Sequence, residues 1–342
     1  MSVTEVVTRH LLQIRSRPNL LSLVIPTYNE DAVIPYLRSA CEEFARTLPC
    51  ALEIVLVNDG SVDGTLHQLV EWAAADARVR VIHLSRNFGH QIAATAGLDH
   101  ARGDAVVILD ADLQDPLPVI HEMIARYCEG YDVVYGQRQS RAGESLQKRF
   151  TAWLFYRIMR TFVDKRLPVD TGDFRLISRD CLNALIQMRE THRFLRGMTS
   201  WVGFPQVAVK YHRQPRKAGT TKYPLRKMLS FSWIAATSFS TVPLRVSALL
   251  GVLVGVVGLE EAARAILAYL IGWYTVPGWA SLTVITSLIG SAILISIGIL
   301  GEYVAKIYEQ SKDRPLYVVA RTFNMEEARP KPESLAEAVR QV

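Results

Sequence analysis

Two carboxylates separated by one residue, Asp110 and Asp112, follow the apolar run Val106–Leu109. On the turn after a strand, this spacing lets both side chains reach one divalent cation. Mg²⁺ and Mn²⁺ favour such hard oxygen ligands and commonly bridge protein carboxylates to substrate phosphates. An isolated acidic pair is also common on exposed turns. Here the segment LQDP (113–116) follows at once, and two other polar segments are expected at the same sheet edge, which favours a metal site.

Those two segments, TYNE at 27–30 and NDGSVDG at 58–64, also follow apolar runs. The second is not an EF-hand, because counting twelve positions from Asp59 reaches Val70, where a bidentate glutamate is required. It is either a surface turn or a loop in which Asp59 accepts hydrogen bonds from a nucleobase or ribose. The sequence contains neither G-x-G-x-x-G nor G-x-x-x-x-G-K-[ST], which argues against a dinucleotide-binding dehydrogenase and against a P-loop.

The elements that must position these residues alternate in type along the first half of the chain. Strands are predicted at Leu23–Ile25, Glu53–Val57, Val79–Leu84, Ala105–Leu109 and Asp132–Tyr135, with helices between them such as Ala32–Thr47 and Thr65–Ala75. This alternation predicts an α/β fold with a doubly wound, mostly parallel sheet. Since ligands bind beyond the carboxyl ends of such strands, the three polar segments should face one crevice.

Composition excludes few classes of protein function. The chain has 342 residues, with 39 Lys and Arg against 33 Asp and Glu, a net charge of +6. A mild basic excess fits nucleic acid, an anionic membrane, a phosphate-bearing substrate or an ordinary solvated surface. Four scattered cysteines without a C-x-x-C pair predict reduced thiols. The first 20 residues lack the apolar core of a signal peptide, so we expect the N-terminal half in the cytoplasm.

The C-terminal third predicts a two-helix transmembrane hairpin. Residues 280–301 carry no charge over 22 positions, enough to cross about 30 Å of hydrocarbon. The first span is interrupted by Glu260, Glu261 and Arg264, which can pair on one helix face. We interpret these charges as a helix–helix or inter-subunit contact, or as a wet outer half of the helix. Lys and Arg flank the hairpin but are absent from its turn, which places both ends in the cytoplasm.

Two basic, aromatic-rich stretches, 145–163 and 221–244, predict amphipathic helices in the headgroup layer. The alternative is that each is a core helix of the soluble domain. The expected organisation is an N-terminal extension, a cytoplasmic α/β domain, an interfacial helix, two transmembrane helices and a cytoplasmic tail, at 1–20, 21–220, 221–244, 245–303 and 304–342.

Four motifs resemble those of the family 2 inverting glycosyltransferases with a GT-A fold: PTYNE (26–30), VNDGSVDGT (57–65), LSRNFGHQIAATAGLDHARGD (84–104) and LDADLQDP (109–116). Later segments are similar to those of polyprenyl-phosphate glycosyltransferases: GDFRLISRD (172–180), FLRGMTSWVG (194–203), GTTKY (219–223), TVPLRV (241–246) and GEYVAKIYEQSKDRPLYVV (301–319). That group includes bactoprenol glucosyltransferases, which the chain resembles most, aminoarabinose transferases and dolichol-phosphate mannose synthases. The resemblance spans residues 21 to 319.

The resemblance implies a role for each matching residue. Nucleotide binding is implied for Pro26, Tyr28, Glu30, Asp59 and Asp110. The implied metal site comprises Asp110, Asp112 and Gln114. The implied catalytic residues are Asp112, Asp173 and Arg175. Asp173 is interpreted as an orienting group near the acceptor, with a structural salt bridge to Arg175 as the alternative. The acceptor phosphate is expected to contact Arg138, Arg213, Arg216 and Lys222.

The implied activity is inverting transfer of a hexose, with UDP-glucose favoured, to undecaprenyl phosphate. Mg²⁺ or Mn²⁺ is the expected cofactor. The expected partners are the nucleotide-sugar, the polyprenyl phosphate, membrane lipid and further copies of the chain, but not nucleic acid. Transfer from GDP-mannose, or of aminoarabinose, is the alternative. A processive polysaccharide synthase is disfavoured by the missing Q-x-x-R-W motif, a non-catalytic scaffold by the intact D-x-D, and a nucleotidyltransferase by the hairpin.

Overall fold

A computed structural model describes residues 12–139, 171–214, 242–271 and 278–325. Its centre is an eight-stranded sheet in the order β7-β5-β6-β4-β1-β2-β3-β8. The strands are β1 Leu20–Thr27, β2 Ala51–Asn58, β3 Val79–Leu84, β4 Ala105–Ile108, β5 Val133–Arg138, β6 Thr171–Ser178, β7 Gln206–Tyr211 and β8 Val319–Phe323. All five predicted strands are confirmed.

The sheet is mixed. β4, β1, β2 and β3 run parallel, and β5 and β7 run parallel to each other. β6 is antiparallel to both β4 and β5, and β8 is antiparallel to β3. The predicted α/β sheet is therefore confirmed, with two antiparallel strands. Because β5 and β4 both oppose β6, the carboxyl ends of β1 to β5 and of β7 lie along one side, called here the carboxyl edge.

Both faces of the sheet are covered by helices. The helices of the catalytic unit are α1 Ile34–Thr47, α2 Thr65–Ala75, α3 His90–His100, α4 Val119–Cys128, α5 Arg179–Gln187 and α6 Leu195–Trp201. Apolar side chains of α1, α2 and α4 share one core, and those of α3, α5 and α6 share the other. The strands are buried on both faces, as their continuous apolar runs predict. The four cysteines are free.

The first and last segments that the structure describes also belong to the catalytic unit. Arg15, within the expected N-terminal extension, forms an ion pair of 2.9 Å with Asp132. β8 lies within the expected C-terminal tail, yet it pairs with β3 at the edge of the sheet. The expected tail therefore returns to the catalytic sheet.

Two long helices follow the catalytic unit, α7 Val242–Ile271 with 30 residues and α8 Trp279–Ser311 with 33. They contact each other. Within the described residues, one stretch is long and apolar enough to cross a membrane, Ile285–Ser311 in α8, and none of its apolar window is buried. α7 does not meet that test, so the predicted two-span hairpin is not confirmed as such.

The charges inside α7 pair as their spacing predicts. Arg264 Nη2 donates to Glu260 Oε1 at 2.7 Å, one helical turn away. The predicted interfacial helix at 145–163 lies outside the described residues, as does that at 221–244 apart from its last three residues, which belong to α7.

Candidate active site

The polar loops after β1, β2 and β4 meet at the carboxyl edge, as predicted, because these strands are parallel neighbours in register. The first two loops interlock. The Asn29 backbone N–H donates to Ser61 Oγ at 3.0 Å, and the Glu30 N–H donates to Thr65 Oγ1 at 2.9 Å. Gly60, with φ +64°, packs so closely on the backbone of Arg86 that a Cβ would overlap it.

Four of the five expected nucleotide residues, all but Asp110, lie on and beside these two loops. Pro26 is buried within β1, while Tyr28 is exposed just beyond the strand. Asp59 is buried, and its two oxygens accept the backbone N–H groups of Phe88 (2.7 Å) and Gly89 (2.9 Å). Burial raises the pKa of Asp59 despite these two bonds. Asp59 therefore shapes the loop that precedes α3, and its nucleotide contact stays a prediction.

The acidic pair follows β4 at the middle of this edge. The side chain of Asp110 is 29% exposed and Asp112 is 8% exposed. Asp110 Oδ1 is buried and accepts no hydrogen bond from the described residues. Asp112 Oδ1 accepts the Gln114 backbone N–H at 3.1 Å. No group of three or more His, Cys, Asp or Glu side chains that could hold a metal occurs in the described part of the chain. Within the described residues, the acidic turn therefore offers a metal two carboxylates, those of Asp110 and Asp112.

A second acidic centre, Asp173, lies beside this pair because β6 runs antiparallel to β4 and pairs Arg175 with Ile108. Asp173 Oδ1 accepts Arg196 Nε at 2.8 Å, and its Oδ2 accepts Gln91 Nε2 at 2.9 Å. The alternative of a structural salt bridge to Arg175 is wrong, since the ion pair is with Arg196. Burial would raise the pKa of Asp173, but the Arg196 charge and His90 outweigh it and hold that pKa well below its usual range.

His90 bridges the two acidic centres. Its Nε2 lies 3.3 Å from Asp110 Oδ1 and 3.5 Å from Asp173 Oδ2. Burial lowers the pKa of His90, but the hydrogen bond with Asp173 and the charge of Asp110 prevail and raise it to about 9. The His90 side chain therefore links the acidic pair to Asp173.

Arg175 lies beneath the site and not in it. Its side chain is buried, and its guanidinium donates to Thr199 Oγ1 and to the Gly172 carbonyl at 3.1 Å. Burial lowers its pKa to about 10. This placement favours support of β6 and α6 over direct contact with a phosphate.

Two arginines lie beside Asp115, three residues after Asp112. Arg138 ends β5 and Arg213 follows β7, and both lie 3.9 Å from one oxygen of Asp115. The structure therefore brings together two of the four residues expected at the acceptor phosphate. The other two, Arg216 and Lys222, lie outside the described residues.

Comparison with known proteins shows the family of the chain. The model of the Glycosyl transferase family 2 matches residues 22–186. The uncharacterized glycosyltransferase YkcC of Bacillus subtilis (strain 168) is 44% identical over 314 residues, covering 92% of this chain and 97% of that protein. The chain belongs to glycosyltransferase family 2. A bactoprenol glucosyl transferase of Shigella phage SfV is 38% identical over 299 residues, covering 87% of this chain and 97% of that relative.

Solved structures similar to this family 2 glycosyltransferase are more distant. Glucosyl-3-phosphoglycerate synthase from Mycobacterium tuberculosis is 17% identical, with a TM-score of 0.45 over 70% of this chain and 83% of that one. The mannosyltransferase PcManGT from Pyrobaculum calidifontis is 17% identical, with a TM-score of 0.41 over 84% and 89%.

Sequence reasoning did not assign three residues of this family 2 site: His90, Asp115 and Arg196. His90 and Arg196 stand inside motifs that carry the resemblance, and Asp115 stands in the DADLQD segment. A signal for His90 was available, because it opens a helix directly after Gly89 at the carboxyl edge. No local pattern indicates that Arg196 meets Asp173 across 23 residues of chain.

Proposed function

We propose that this family 2 glycosyltransferase moves a hexose from a nucleotide-sugar, with UDP-glucose favoured, to undecaprenyl phosphate with inversion at the anomeric carbon. The product is a polyprenyl monophosphate sugar that serves as a donor for cell-envelope glycan or lipid modification. Support comes from the relatives named bactoprenol glucosyl transferase, which match this chain over most of its length.

The observation that carries the proposal is the charge arrangement at the carboxyl edge. His90 Nε2 lies 3.3 Å from Asp110, and Arg138 and Arg213 each lie 3.9 Å from Asp115 in the same segment. Joining a nucleotide diphosphate-sugar to a lipid phosphate brings two anions together. Such a site must supply cations that orient both substrates, and paired arginines suit phosphate through their forked guanidinium groups.

Asp110 and Asp112 would hold Mg²⁺ or Mn²⁺, with Gln114 beside them. The fit rests on the donor set: two carboxylates on one turn, with the side chain of Asp110 29% exposed beside the buried Asp112. Hard carboxylate oxygens are the ligands that Mg²⁺ and Mn²⁺ favour, and Asp110 Oδ1 lies 3.3 Å from His90 Nε2. When bound, a divalent ion offsets the negative charge that develops on the diphosphate leaving group.

The acceptor supplies its own nucleophile. A phosphate monoester has a second pKa of about 6 and is largely dianionic near neutrality. A strong general base is therefore unnecessary, and Asp173, which is paired with Arg196, serves to orient substrate. Attack by the phosphate oxygen on the sugar face opposite the departing diphosphate inverts the anomeric configuration.

We also propose that the protein is integral to the bacterial inner membrane, with its catalytic unit in the cytoplasm. Large apolar side chains are exposed along both α7 and α8, for example Leu253 and Ile297. A contiguous apolar surface of this kind is matched by lipid. The segments 145–163 and 221–244 are proposed to lie in the headgroup layer, and the enzyme is proposed to be a homo-oligomer.

A donor panel tests the substrate assignment. Purified protein in detergent, with Mn²⁺ or Mg²⁺ and undecaprenyl phosphate, is offered UDP-glucose, GDP-mannose and UDP-linked amino sugars in parallel. We expect UDP-glucose to give the highest kcat/KM and the glucosyl lipid to carry the opposite anomeric configuration by NMR. A higher kcat/KM for GDP-mannose or an amino sugar would transfer the assignment to that donor. Retention of configuration would contradict inversion.

A further inference from the structure

The carboxylate of Asp115 is fully buried behind the acidic turn and has no part in the proposed metal or nucleotide contacts. It belongs to the loop after β4, but its partners come from the ends of β5 and β7. Burial of an ionised carboxylate is unfavourable unless charges or hydrogen bonds compensate it. The groups around Asp115 therefore indicate what it is for.

All of the contacts of Asp115 converge on one oxygen. The Tyr211 hydroxyl donates to Oδ1, and Arg138 Nη2 and Arg213 Nε each lie 3.9 Å from the same atom. Arg138 Nε also donates to the Tyr211 hydroxyl oxygen at 3.3 Å. We call these four residues the Asp115 cluster. The cluster joins three separate segments through a single carboxylate.

Within this cluster the two guanidinium groups need a counter-charge. Burial and the neighbouring Arg138 lower the pKa of Arg213. The arginine side chains are 20% and 22% exposed, so part of each is accessible to solvent although each guanidinium lies near Asp115. Without the carboxylate, two like charges would repel each other in a poorly solvated space.

Further contacts fix the orientation of the cluster. Gly172 packs against Arg138, and a Cβ there would stand 2.7 Å from Arg138 Nη2. The Tyr211 ring packs edge-on against Phe174 with centroids 5.6 Å apart. The Gln214 backbone N–H donates to the Gln114 carbonyl at 3.0 Å, which ties the segment after β7 to the acidic turn.

We propose that Asp115 is a positioning residue that, with Tyr211, holds Arg138 and Arg213 in the geometry that binds the phosphate of the lipid acceptor. This inference rests on the proposed function. Asp115 touches no substrate and acts through the two arginines. Its negative charge keeps them adjacent before substrate arrives, and its burial leaves their outward N–H groups for the phosphate.

The test compares Asp115→Asn with Tyr211→Phe in detergent without anionic lipid. Asn keeps the shape of the side chain but removes the charge, so we expect kcat/KM for undecaprenyl phosphate to fall about tenfold or more. Phe removes both hydrogen bonds of the hydroxyl and keeps the carboxylate, so its loss should be smaller but in the same parameter. Binding of UDP with Mn²⁺, measured by calorimetry, should change less than about twofold.

The chain supplies a matched control in Asp99. That carboxylate is also largely buried, also accepts a tyrosine hydroxyl (Tyr317, 2.8 Å) and also pairs with an arginine (Arg189, 2.7 Å). It lies near the C-terminal end of α3, whose first residue is at the carboxyl edge. Asp99→Asn should leave kcat/KM for the acceptor within about twofold of wild type, whatever it does to thermal stability.

A double-variant comparison separates positioning from a general structural role. In a chain that carries Arg138→Ala and Arg213→Ala, adding Asp115→Asn should cause no further loss, because the residues it acts through are gone. An additive loss, an unchanged Asp115→Asn enzyme, or a loss confined to UDP binding would overturn the inference. If Asp115→Asn fails to fold, an unchanged Tyr211→Phe enzyme overturns it. Wild-type protein that makes no lipid product would instead contradict the proposed function.

Discussion

At the residue scale, the state of Asp173 decides between two kinds of chemistry. Its carboxylate accepts hydrogen bonds from Arg196 and Gln91 and lies beside His90. Although burial opposes ionisation, the Arg196 charge leads the contributions that keep its pKa well below the usual range. A carboxylate held ionised in this way is a poor proton acceptor at neutral pH, which favours an orienting role.

The pH dependence of the reaction tests that role. Below pH 6, the rate should fall because the acceptor phosphate, with a second pKa of about 6, gains a proton. Asp173→Asn should lower kcat but leave this acid limb in place. The measurement is kcat/KM for undecaprenyl phosphate between pH 5 and 8 for both proteins. If the acid limb disappears in the variant, Asp173 is the titrating base and the orienting role is wrong.

The ion pair between Asp173 and Arg196 also stabilises the folded protein. Because the folded pKa of Asp173 is depressed, its ionised form stabilises the fold above the unfolded value of about 3.9, and this contribution is lost as the pH falls through the folded pKa. Neutral and mildly acid solutions, where the pH profile is measured, keep the contribution intact. Loss of activity near pH 5 therefore does not reflect loss of this ion pair.

Whether the role of a site residue could be predicted depended on how far along the chain its partners lie. Asp110 and Asp112 are adjacent on one turn, and their position after an apolar strand was enough to place them at the edge. Asp115 was missed because its partners Arg138 and Arg213 are far along the chain and meet it only when β5 and β7 join the sheet. The partner of Asp173 was misjudged for the same reason: Arg175 is near in sequence, while Arg196 arrives on α6.

At the element scale, α3 lies close against β1, and this close approach depends on a glycine. A Cβ at Gly97 would overlap Val24 Cγ1 and come within 3.0 Å of Val57 Cγ2. Both valines belong to buried strands at the centre of the sheet. This packing fixes the distance between α3 and the sheet. The first residue of α3 is His90, which lies at the carboxyl edge.

Gly97→Ala should therefore destabilise the catalytic unit. Overpacking costs about 1–3 kcal/mol, which exceeds the gain in helix propensity of at most about 1 kcal/mol. Val24→Ala removes the overlapping methyl groups, so the double variant should lose less stability than the sum of the single variants. Thermal unfolding in detergent, followed by tryptophan fluorescence, measures this. Additive losses, or an unchanged Tm for Gly97→Ala, would contradict the packing argument.

The elements that were predicted are those whose burial leaves a regular apolar pattern in the sequence. One element that was missed, β8, owes its structure to a partner strand elsewhere in the fold. The five predicted strands are apolar runs buried on both faces. β8, with the sequence VARTF, is largely exposed and becomes a strand only because β3 offers an open edge. In α7, Glu260 and Arg264 satisfy each other on an exposed face, so the helix continues through charges that interrupt its apolar sequence.

At the scale of the whole molecule, the catalytic unit is joined to the end of α8 by polar contacts. Gln310 Oε1 accepts the Thr191 backbone N–H at 2.8 Å, and its Nε2 donates to the Arg189 carbonyl at 3.1 Å. Glu309 pairs with His192 at 2.6 Å. These contacts join the loop between α5 and α6 to the end of the apolar helix.

The connection between the catalytic unit and α8 makes the membrane topology testable. If α7 and α8 cross the membrane, the turn at Gly278 should be on the far side and Ser311 on the cytoplasmic side. In intact cells, a membrane-impermeant maleimide should label Gly278→Cys but not Ser311→Cys, in a background with the four native cysteines replaced. Labelling of both after lysis is the control. The reverse pattern would place the catalytic unit outside the cytoplasm.

The central claim is that one hexosyl group, without a phosphate, passes to the lipid phosphate. Mass spectrometry of the lipid formed from UDP-glucose and undecaprenyl phosphate tests this most directly, with the Asp112→Asn variant and excess EDTA as controls. We expect the lipid mass to increase by one hexose residue with wild type and Mn²⁺, and both controls to lose at least about a hundredfold in rate, as for groups that bind the reacting centre. A lipid that gains a hexose phosphate, or full activity in either control, would contradict the account.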